Sequence, residues 1–572
     1  MVAGLQTATQ LCAADFARHA SLGVSFSGVY PPWAFIAWWV RWGERYPDAF
    51  VAAGNPGLLV CCAGTLLLLA IKHANEQGNP YLHGSARWAD EADIRQAGLL
   101  AQSAAQDGVY VGSWVDRRGR KHYLRHTGPE HVLCFAPTRS GKGVGLVIPT
   151  LLSWPHSAFV TDLKGELWSL TAGWRSQYAR NRVLRFEPAA DEHTVRWNPL
   201  LEIRIGTEHE IADVQNLATL IVDPDGKGLD SHWQKTAQAL LVGVILHAIH
   251  KARVESTPAT LAEVDRLLAD PTRPAAELWK EMTVYPHVDG LVHPVVGAAG
   301  RDMLDRPEEE GGSVLSTAKS YLALYRDPVV AHNTSASDFR LRDLMHAECP
   351  VTLYLVTQPT DKDRLRPLVR TLVNMALRTL ADKLAFENGA PKALYKHRLL
   401  LMLDEFVALK RLAILQESLA YIAGYGLKAY LICQDIEQLQ ANEGYGRDET
   451  ITSNCHLQVA FPPNRFTTAE HLSRLTGQTT VAHDQVTISG TGPALLASRS
   501  RSRQWVQRPL LTPDECLRLP GPLKDSSGSI TEAGDMLVFV AGRPAIYGKQ
   551  PLYFQDPVFQ ARASVPAPSR NT

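Results

Sequence analysis

Apolar residues in much of this chain gather in short unbroken runs that end in glycine-rich or acidic turns. Between the runs they recur at helical spacing. The first such runs cover 131–136, 157–163 and 182–187, the last stopped by Pro188. A helix pattern starts at Val144 and another covers 165–179. Runs that do not alternate with polar residues are buried on both faces, and strands that alternate with helices predict an α/β fold on a parallel sheet. Ligands of such sheets bind beyond the strand C-termini. From 206 to about 327 the strand pattern gives way to helical periods at 208–222, 233–253, 260–269 and 312–325. The segments 271–274 and 308–312 read as linkers. The run 240–246 is too short to span a bilayer, given Gln238 before it and His247, His250 and Lys251 after it, so it predicts a core helix. Residues 206–330 are thus expected to be an all-α insertion. Strand runs return at 351–356, 399–403, 428–433, 455–461 and 535–540, with helices at 365–383 and 436–440 and a polar linker at 387–397. Residues 557–572 read as a loose tail.

The N-terminal region has a different pattern. Residues 51–71 carry no charge and are long enough to cross a bilayer, although Asn55-Pro56 weakens the first turn. A buried core helix is the alternative. Residues 21–40 are also uncharged but are interrupted by Pro31-Pro32. They read as a poor first span or as a segment lying on the membrane, with Trp33, Trp38 and Trp39 at its interface. Lys72 and His73 favour a cytoplasmic continuation, while Arg41 and Arg45 argue the other way. No cleavable leader pattern is visible.

At 572 residues the chain exceeds one core, so two or three domains are expected. Lys+Arg and Asp+Glu both total 58, and this balance predicts no partner. A nucleic-acid site would have to be a local basic surface such as a pore lining. The 8 cysteines are scattered without metal-type spacing and read as buried reduced thiols of a cytosolic domain.

Candidate chemistry starts where the 131–136 strand meets Ala136-Pro137-Thr138-Arg139-Ser140-Gly141-Lys142-Gly143, followed by Val144. Small residues let backbone N–H groups wrap a phosphate at a helix N-terminus, and Lys142 reaches the β- and γ-phosphates of ATP. Gly143 stands where a Ser or Thr usually binds magnesium. A glycine-rich turn before a buried helix is the plainer alternative. The run 399–403 ends in Asp404-Glu405, the pattern that holds Mg2+ through Asp404 and polarises the attacking water through Glu405. Gln434 ends the strand 428–433 and reads as a γ-phosphate or water sensor, or as the cap of the following helix. Asp162, Lys164 and Glu166 sit at the C-terminal end of the 157–163 strand and would support the site from behind.

These motifs resemble the TraG family of type IV secretion coupling proteins. The matching residues are APTRSGKGVG at 136–145, DLKGE at 162–166, WNPL at 197–200 and HWQKTAQALLVG at 232–243. Further matches are VLSTAKSYLALYRDPVVAHNTSASDF at 314–339, LLLMLDEF at 399–406, GYGLKAYLICQ at 424–434 and RPLLTPDE at 508–515. The resemblance implies a RecA-like P-loop ATPase in two parts, 76–205 and 331–556. The insertion 206–330 would help choose the substrate, a membrane anchor would occupy 1–75, and 557–572 would be the tail. It also implies a hexamer at the bacterial inner membrane, with its soluble domains in the cytoplasm. That hexamer would bring a relaxase–single-stranded DNA complex to the secretion channel and use ATP hydrolysis for transfer. Gly-Lys-Gly is usual in the family, so Mg2+ would lean on Asp404, the phosphates and water. Members usually have two spans, which leads to the expectation that Met1 lies downstream of the natural start. A ring ATPase also needs a cation from the neighbouring subunit. Lys428, Arg465 and Arg139 are candidates, each also readable as a surface charge. Arg499, Arg501, Arg503 and Arg508 with Trp505 would hold phosphate and stack on bases, or form a plain basic loop. Two rival functions stay open: an ATPase exporting only proteins, and a nucleotide-gated docking module that moves nothing.

Overall fold

The computed structural model describes residues 1–76, 81–100, 107–382, 385–387, 390–489 and 498–569. The chain forms two compact units, residues 1–85 with 480–507, and residues 86–479 with 508–572.

In the first unit, the helix Val2–Asp15 packs on the helix Pro47–Glu76. Glycines set this crossing: a Cβ on Gly57 would lie 2.6 Å from the carbonyl oxygen of Gly4. Residues Pro47–Ile71 are long and apolar enough to cross a membrane, and Leu66 to Leu69 face outward. The 21–40 segment gives only the helix Ala34–Trp42, too short to span. Trp33 and Trp39 are exposed. Trp38 is buried instead, stacking edge-on to Tyr30 and donating its indole N–H to the Leu22 carbonyl at 3.1 Å.

The second unit is built on an 11-stranded sheet. Its early strands are β1 (Val109–Val115), β2 (Lys121–His126), β3 (Val132–Phe135), β4 (Ser157–Leu163), β5 (Arg182–Phe186) and β6 (Val351–Thr357). The short pair β7 (Ala385–Glu387) and β8 (Ala390–Lys392) lies apart from the sheet, with β7 ending where the expected polar linker starts and β8 within it. Then come β9 (Leu399–Leu403), β10 (Leu427–Cys433) and β11 (Leu457–Ala460). The hairpin β12 (Gln478–Ser489) and β13 (Ser498–Pro509), most of which belongs to the first unit, and the pair β14 (Leu523–Lys524) and β15 (Ile530–Glu532) are separate small sheets. β16 (Asp535–Val540) and β17 (Ile546–Lys549) complete the large one.

The order is β2-β1-β17-β16-β11-β3-β10-β9-β4-β6-β5. From β11 to β5 every pairing is parallel, and from β11 to β2 every pairing is antiparallel. The parallel strands read as apolar runs because both of their faces are buried, and the antiparallel β16 reads the same way for the same reason. Their C-termini therefore share one rim. Phe135 pairs with Cys433, Leu431 with Leu403, and Leu403 with Thr161.

Between β5 and β6 the chain is helical, and its core helix His232–Glu255 buries the 240–246 run. The expected linker at 308–312 is instead the first turns of the helix Glu308–Leu322. Pro307 starts that helix, and Glu308, Glu309 and Glu310 favour its positive N-terminal end. The expected loose tail is ordered as far as it is described. Asp556 accepts hydrogen bonds from Val558 and Phe559 to start the helix Pro557–Ala563, Phe559 is buried, and Arg562 donates to the Leu152 carbonyl at 2.6 Å. Residues 570–572 lie outside the described residues. The basic tract is strand rather than loop: Arg503 on β13 pairs with Asp484 on β12 at 3.1 Å, and Arg508 pairs with Glu515. The side chains of Arg499 and Arg501 lie outside the described residues.

Candidate nucleotide site

The shared rim brings the predicted residues together. β3 ends at Phe135, and Ala136 donates its N–H to the Cys433 carbonyl at 2.8 Å, tying the loop to β10. Pro137 is buried, Thr138 and Arg139 are exposed, and Ser140 turns the chain inward. Arg139 and Gly141 have φ of 62° and 89°, and this left-handed pair curls the loop. Lys142 and Gly143 then lead into a wide helical turn over Gly143–Val147, which continues as the helix Ile148–Leu151. Val144 is half-buried at its start. The first N–H groups of a helix have no preceding carbonyl to bond. The Ser140 hydroxyl is buried without a partner, and a Cβ on Gly143 would meet nothing within 4 Å. An orphan hydroxyl beside an open cradle of N–H groups fits a phosphate group.

Lys142 Nζ lies 2.6 Å from Asp404 Oδ1. That oxygen makes no well-aligned hydrogen bond, so the contact is an ion pair set by distance rather than direction. Thr161 of β4 donates its hydroxyl to the Asp404 carbonyl at 3.3 Å, which fixes the strand end. Glu405 sits at φ 57°, an uncommon conformation for a non-glycine residue, and is oriented by Gln434, whose side-chain amide donates to Oε1 at 2.9 Å. The cap of the helix Ile436–Gln440 is Asp435, which accepts from the Gln438 N–H at 2.7 Å. Gln434 is thus free of the capping role and faces the acidic residue.

Asp162 is buried and accepts from the Trp168 N–H at 2.8 Å, anchoring the helix Glu166–Gln177. Burial raises its pKa above the usual carboxylate range, while the Trp168 N–H opposes that rise. Asp162 shares a small cavity with Thr357, Asp404 and Glu405, whereas Lys164 and Glu166 are exposed. The three expected supporting residues therefore separate. Among the cation candidates, Lys428 is not a surface charge: it is fully buried at the opposite end of β10, held by His126, Gly128 and Glu130. Burial lowers its pKa to about 7. Arg465 and Arg139 are exposed.

Two residues at this site carry no local sequence signal. Lys362, just past β6, places Nζ 4.0 Å from Glu405 Oε1. Gln550, just past β17, is fully buried and donates its amide to the Ser140 carbonyl at 3.0 Å. A cavity of 970 Å³ with Arg204, Arg342, Arg378 and Tyr421 in its wall takes in none of the rim residues.

A family model described as type IV secretory system conjugative DNA transfer matches residues 87–572. The chain is 65% identical to a conjugal transfer protein TraG of Escherichia coli, over 99% of this chain and 92% of that protein. It is 29% identical to the protein VirD4 of Agrobacterium fabrum (strain C58 / ATCC 33970), over 74% of this chain and 61% of that one. A solved structure of the bacterial conjugative coupling protein TrwB, in an unbound form, superposes with a TM-score of 0.58 at 20% identity, covering 83% of this chain and 94% of that one. TrwB solved with ADP and Mg2+ gives a TM-score of 0.56 over 82% and 92%. At this identity the likeness establishes the fold, a RecA-like α/β domain. On the match over 87–572 and the close identity to TraG, the chain belongs to the type IV secretory system conjugative DNA transfer family.

Proposed function

We propose that this chain is a membrane-anchored ATPase of a conjugation system, acting as a homohexamer on the cytoplasmic face of the inner membrane. It recruits a relaxase–single-stranded DNA complex and couples ATP hydrolysis to passage of that complex through the secretion channel. The observation that carries the reading is the meeting of Lys142 with Asp404, and of Glu405 with Gln434, at one rim of a parallel sheet.

The residues have distinct tasks. The loop 136–144 wraps the β-phosphate with backbone N–H groups. Without nucleotide, Lys142 and Asp404 neutralise each other. Asp404 would hold Mg2+, and Lys142, its partner in the ion pair, would reach the β- and γ-phosphates. Mg2+ supplies charge neutralisation on the phosphates. With no hydroxyl at Gly143, Asp404 carries more of that binding than a Ser or Thr loop would require. Glu405, aimed by Gln434, polarises the attacking water, and Gln434 reports on the γ-phosphate. Phosphoryl transfer needs this positioning and charge more than covalent chemistry.

The test uses the full chain purified in detergent. Lys142→Ala should abolish nucleotide binding and transfer, while Glu405→Gln should bind ATP and stop hydrolysis and transfer. If Glu405→Gln still supports transfer, the chain is a docking module and not a motor. Hydrolysis stimulated by single-stranded DNA is expected, and indifference to DNA would favour protein-only export.

A further inference from the structure

The helical insertion holds a second concentration of titratable side chains. Glu210 opens the helix Glu210–Val222, His250 lies in the last turns of the helix His232–Glu255, and His293 immediately precedes the helix Pro294–Asp305. Glu210 is 7% exposed and His250 4%. The three residues offer one donor atom each, all within 4.8 Å of one another. Glu210 Oε1 pairs with His250 Nε2 and stands 3.9 Å from His293 Nε2. The two imidazole rings lie 5.2 Å apart between centroids.

We propose that Glu210, His250 and His293 form a site for a divalent transition-metal ion, zinc in the cell, which clamps three helices of the insertion together. Two imidazoles and one carboxylate are a donor set that zinc accepts, with water in the fourth position. Ligand bonds of about 2.0–2.2 Å in a tetrahedron set donors about 3.3–3.5 Å apart, so the observed spacings need only small adjustments.

The surroundings support ligation. Glu210 Oε2 accepts from the Gly206 N–H at 2.8 Å, which fixes the carboxylate and leaves Oε1 facing the histidines. Among the described residues, only the two histidines pair with that carboxylate. A metal-free Glu210–His250 hydrogen bond satisfies that pair but leaves His293 Nε2 3.9 Å from the carboxylate, too far for a hydrogen bond. Behind the trio, His287 accepts from the His293 backbone N–H at 3.2 Å and meets His247 at 2.9 Å.

The experiment uses the full chain in detergent, stripped with a chelator and titrated with zinc chloride in the absence of nucleotide and magnesium. Metal content by mass spectrometry should reach one ion per chain, with a rise in melting temperature. Cobalt(II) should give the visible absorption of a four-coordinate site. His293→Gln leaves the Glu210–His250 bond in place, so it should fold normally by circular dichroism yet bind zinc at least roughly tenfold more weakly. Asp404→Ala removes the other acidic metal candidate and should retain the zinc. No zinc uptake by the wild type overturns the proposal. So does undiminished uptake by both His293→Gln and Glu210→Gln.

Discussion

Gln550 holds the carbonyl of Ser140 at 3.0 Å across 410 residues of sequence. The glycine-rich loop is therefore braced from the far end of the chain, through the antiparallel edge of the sheet. Gln550→Ala removes that donor and strands a buried carbonyl, a cost of about 1–2 kcal/mol borne by the loop. Nucleotide affinity should fall roughly tenfold in a titration with a fluorescent ATP analogue. An unchanged affinity would mean that the loop holds its shape alone.

Lys362 stands 4.0 Å from Glu405 Oε1, close enough to bias its position but too far for a direct hydrogen bond. Lys362→Met should leave nucleotide affinity unaltered and slow hydrolysis roughly tenfold, because only Glu405, proposed to polarise the attacking water, loses a partner. Single-turnover hydrolysis and equilibrium binding together check this. A loss in binding equal to the loss in rate would place Lys362 on the phosphates instead.

What the sequence revealed follows physical lines. β3, β4, β9 and β10 are buried on both faces, so their apolar runs stand out without any partner being known. The acid pair and Gln434 are legible because each directly follows such a run. β2, an edge strand, escapes notice because Lys121–His126 is largely polar, β17 because it is short and alternates buried with exposed positions, and β1 because Gly112 and Ser113 interrupt its apolar run. The helices Ala275–Val284 and Pro294–Asp305 start at Pro274 and Pro294, a residue that reads as a breaker in sequence but here opens a helix. Helix Pro47–Glu76 runs through Asn55-Pro56, a local signal for interruption that packing against Gly4 and Ala8 overrides. Lys362 and Gln550 reach the site only through topology, and no window of sequence places them beside Glu405 or Ser140.

Gly141 and Gly143 should respond oppositely to alanine. At φ 89°, Gly141 sits where a side chain is strained, and its Cβ would come within 2.8 Å of Ile530 Cδ1. Gly141→Ala should destabilise the second unit by about 1–2 kcal/mol. Gly143 begins a helical turn with open space around it, so Gly143→Ala should be neutral or stabilising by up to about 1 kcal/mol. Urea midpoints in the absence of nucleotide compare the two. Equal midpoints would show that the left-handed turn is not needed.

His131 gives the second unit an acid-sensitive point. Its Nδ1 accepts from the Ala429 N–H at 3.0 Å, and Nε2 donates to the Leu419 carbonyl at 3.0 Å, so the neutral ring is fully used. Burial lowers its pKa to about 4. Between about pH 6.5 and 4 the unfolded chain binds the proton and the folded one does not, so stability falls as pH falls through that window. Replacing His131 by Gln removes this titration. The slope of unfolding free energy against pH should then flatten by up to about 1.4 kcal/mol per pH unit. Slopes that coincide would assign the acid sensitivity elsewhere.

Arg175 is fully buried, has no carboxylate partner among the described residues, and spends its guanidinium on oxygen acceptors. Nη1 donates to the carbonyls of Leu151 and Trp154 at 2.9 and 2.6 Å, Nη2 to His156 and Asn181 at 2.6 and 2.8 Å, and Nε to the Thr352 hydroxyl at 2.8 Å. Desolvation lowers its pKa to about 10, yet it remains charged at neutral pH. Leu151 ends the helix that begins at the phosphate loop, so Arg175 fastens that helix to β6 from behind. Arg175→Met would fill the volume but strand several buried carbonyls, a loss of about 3–4 kcal/mol. Arg175→Lys keeps a charge but not the planar fork, and should recover only part of it. Because the loosened element carries Lys142, KM for ATP should rise in both variants at temperatures where they remain folded. A large loss of stability with an unaltered KM would show that the loop and its helix are held independently.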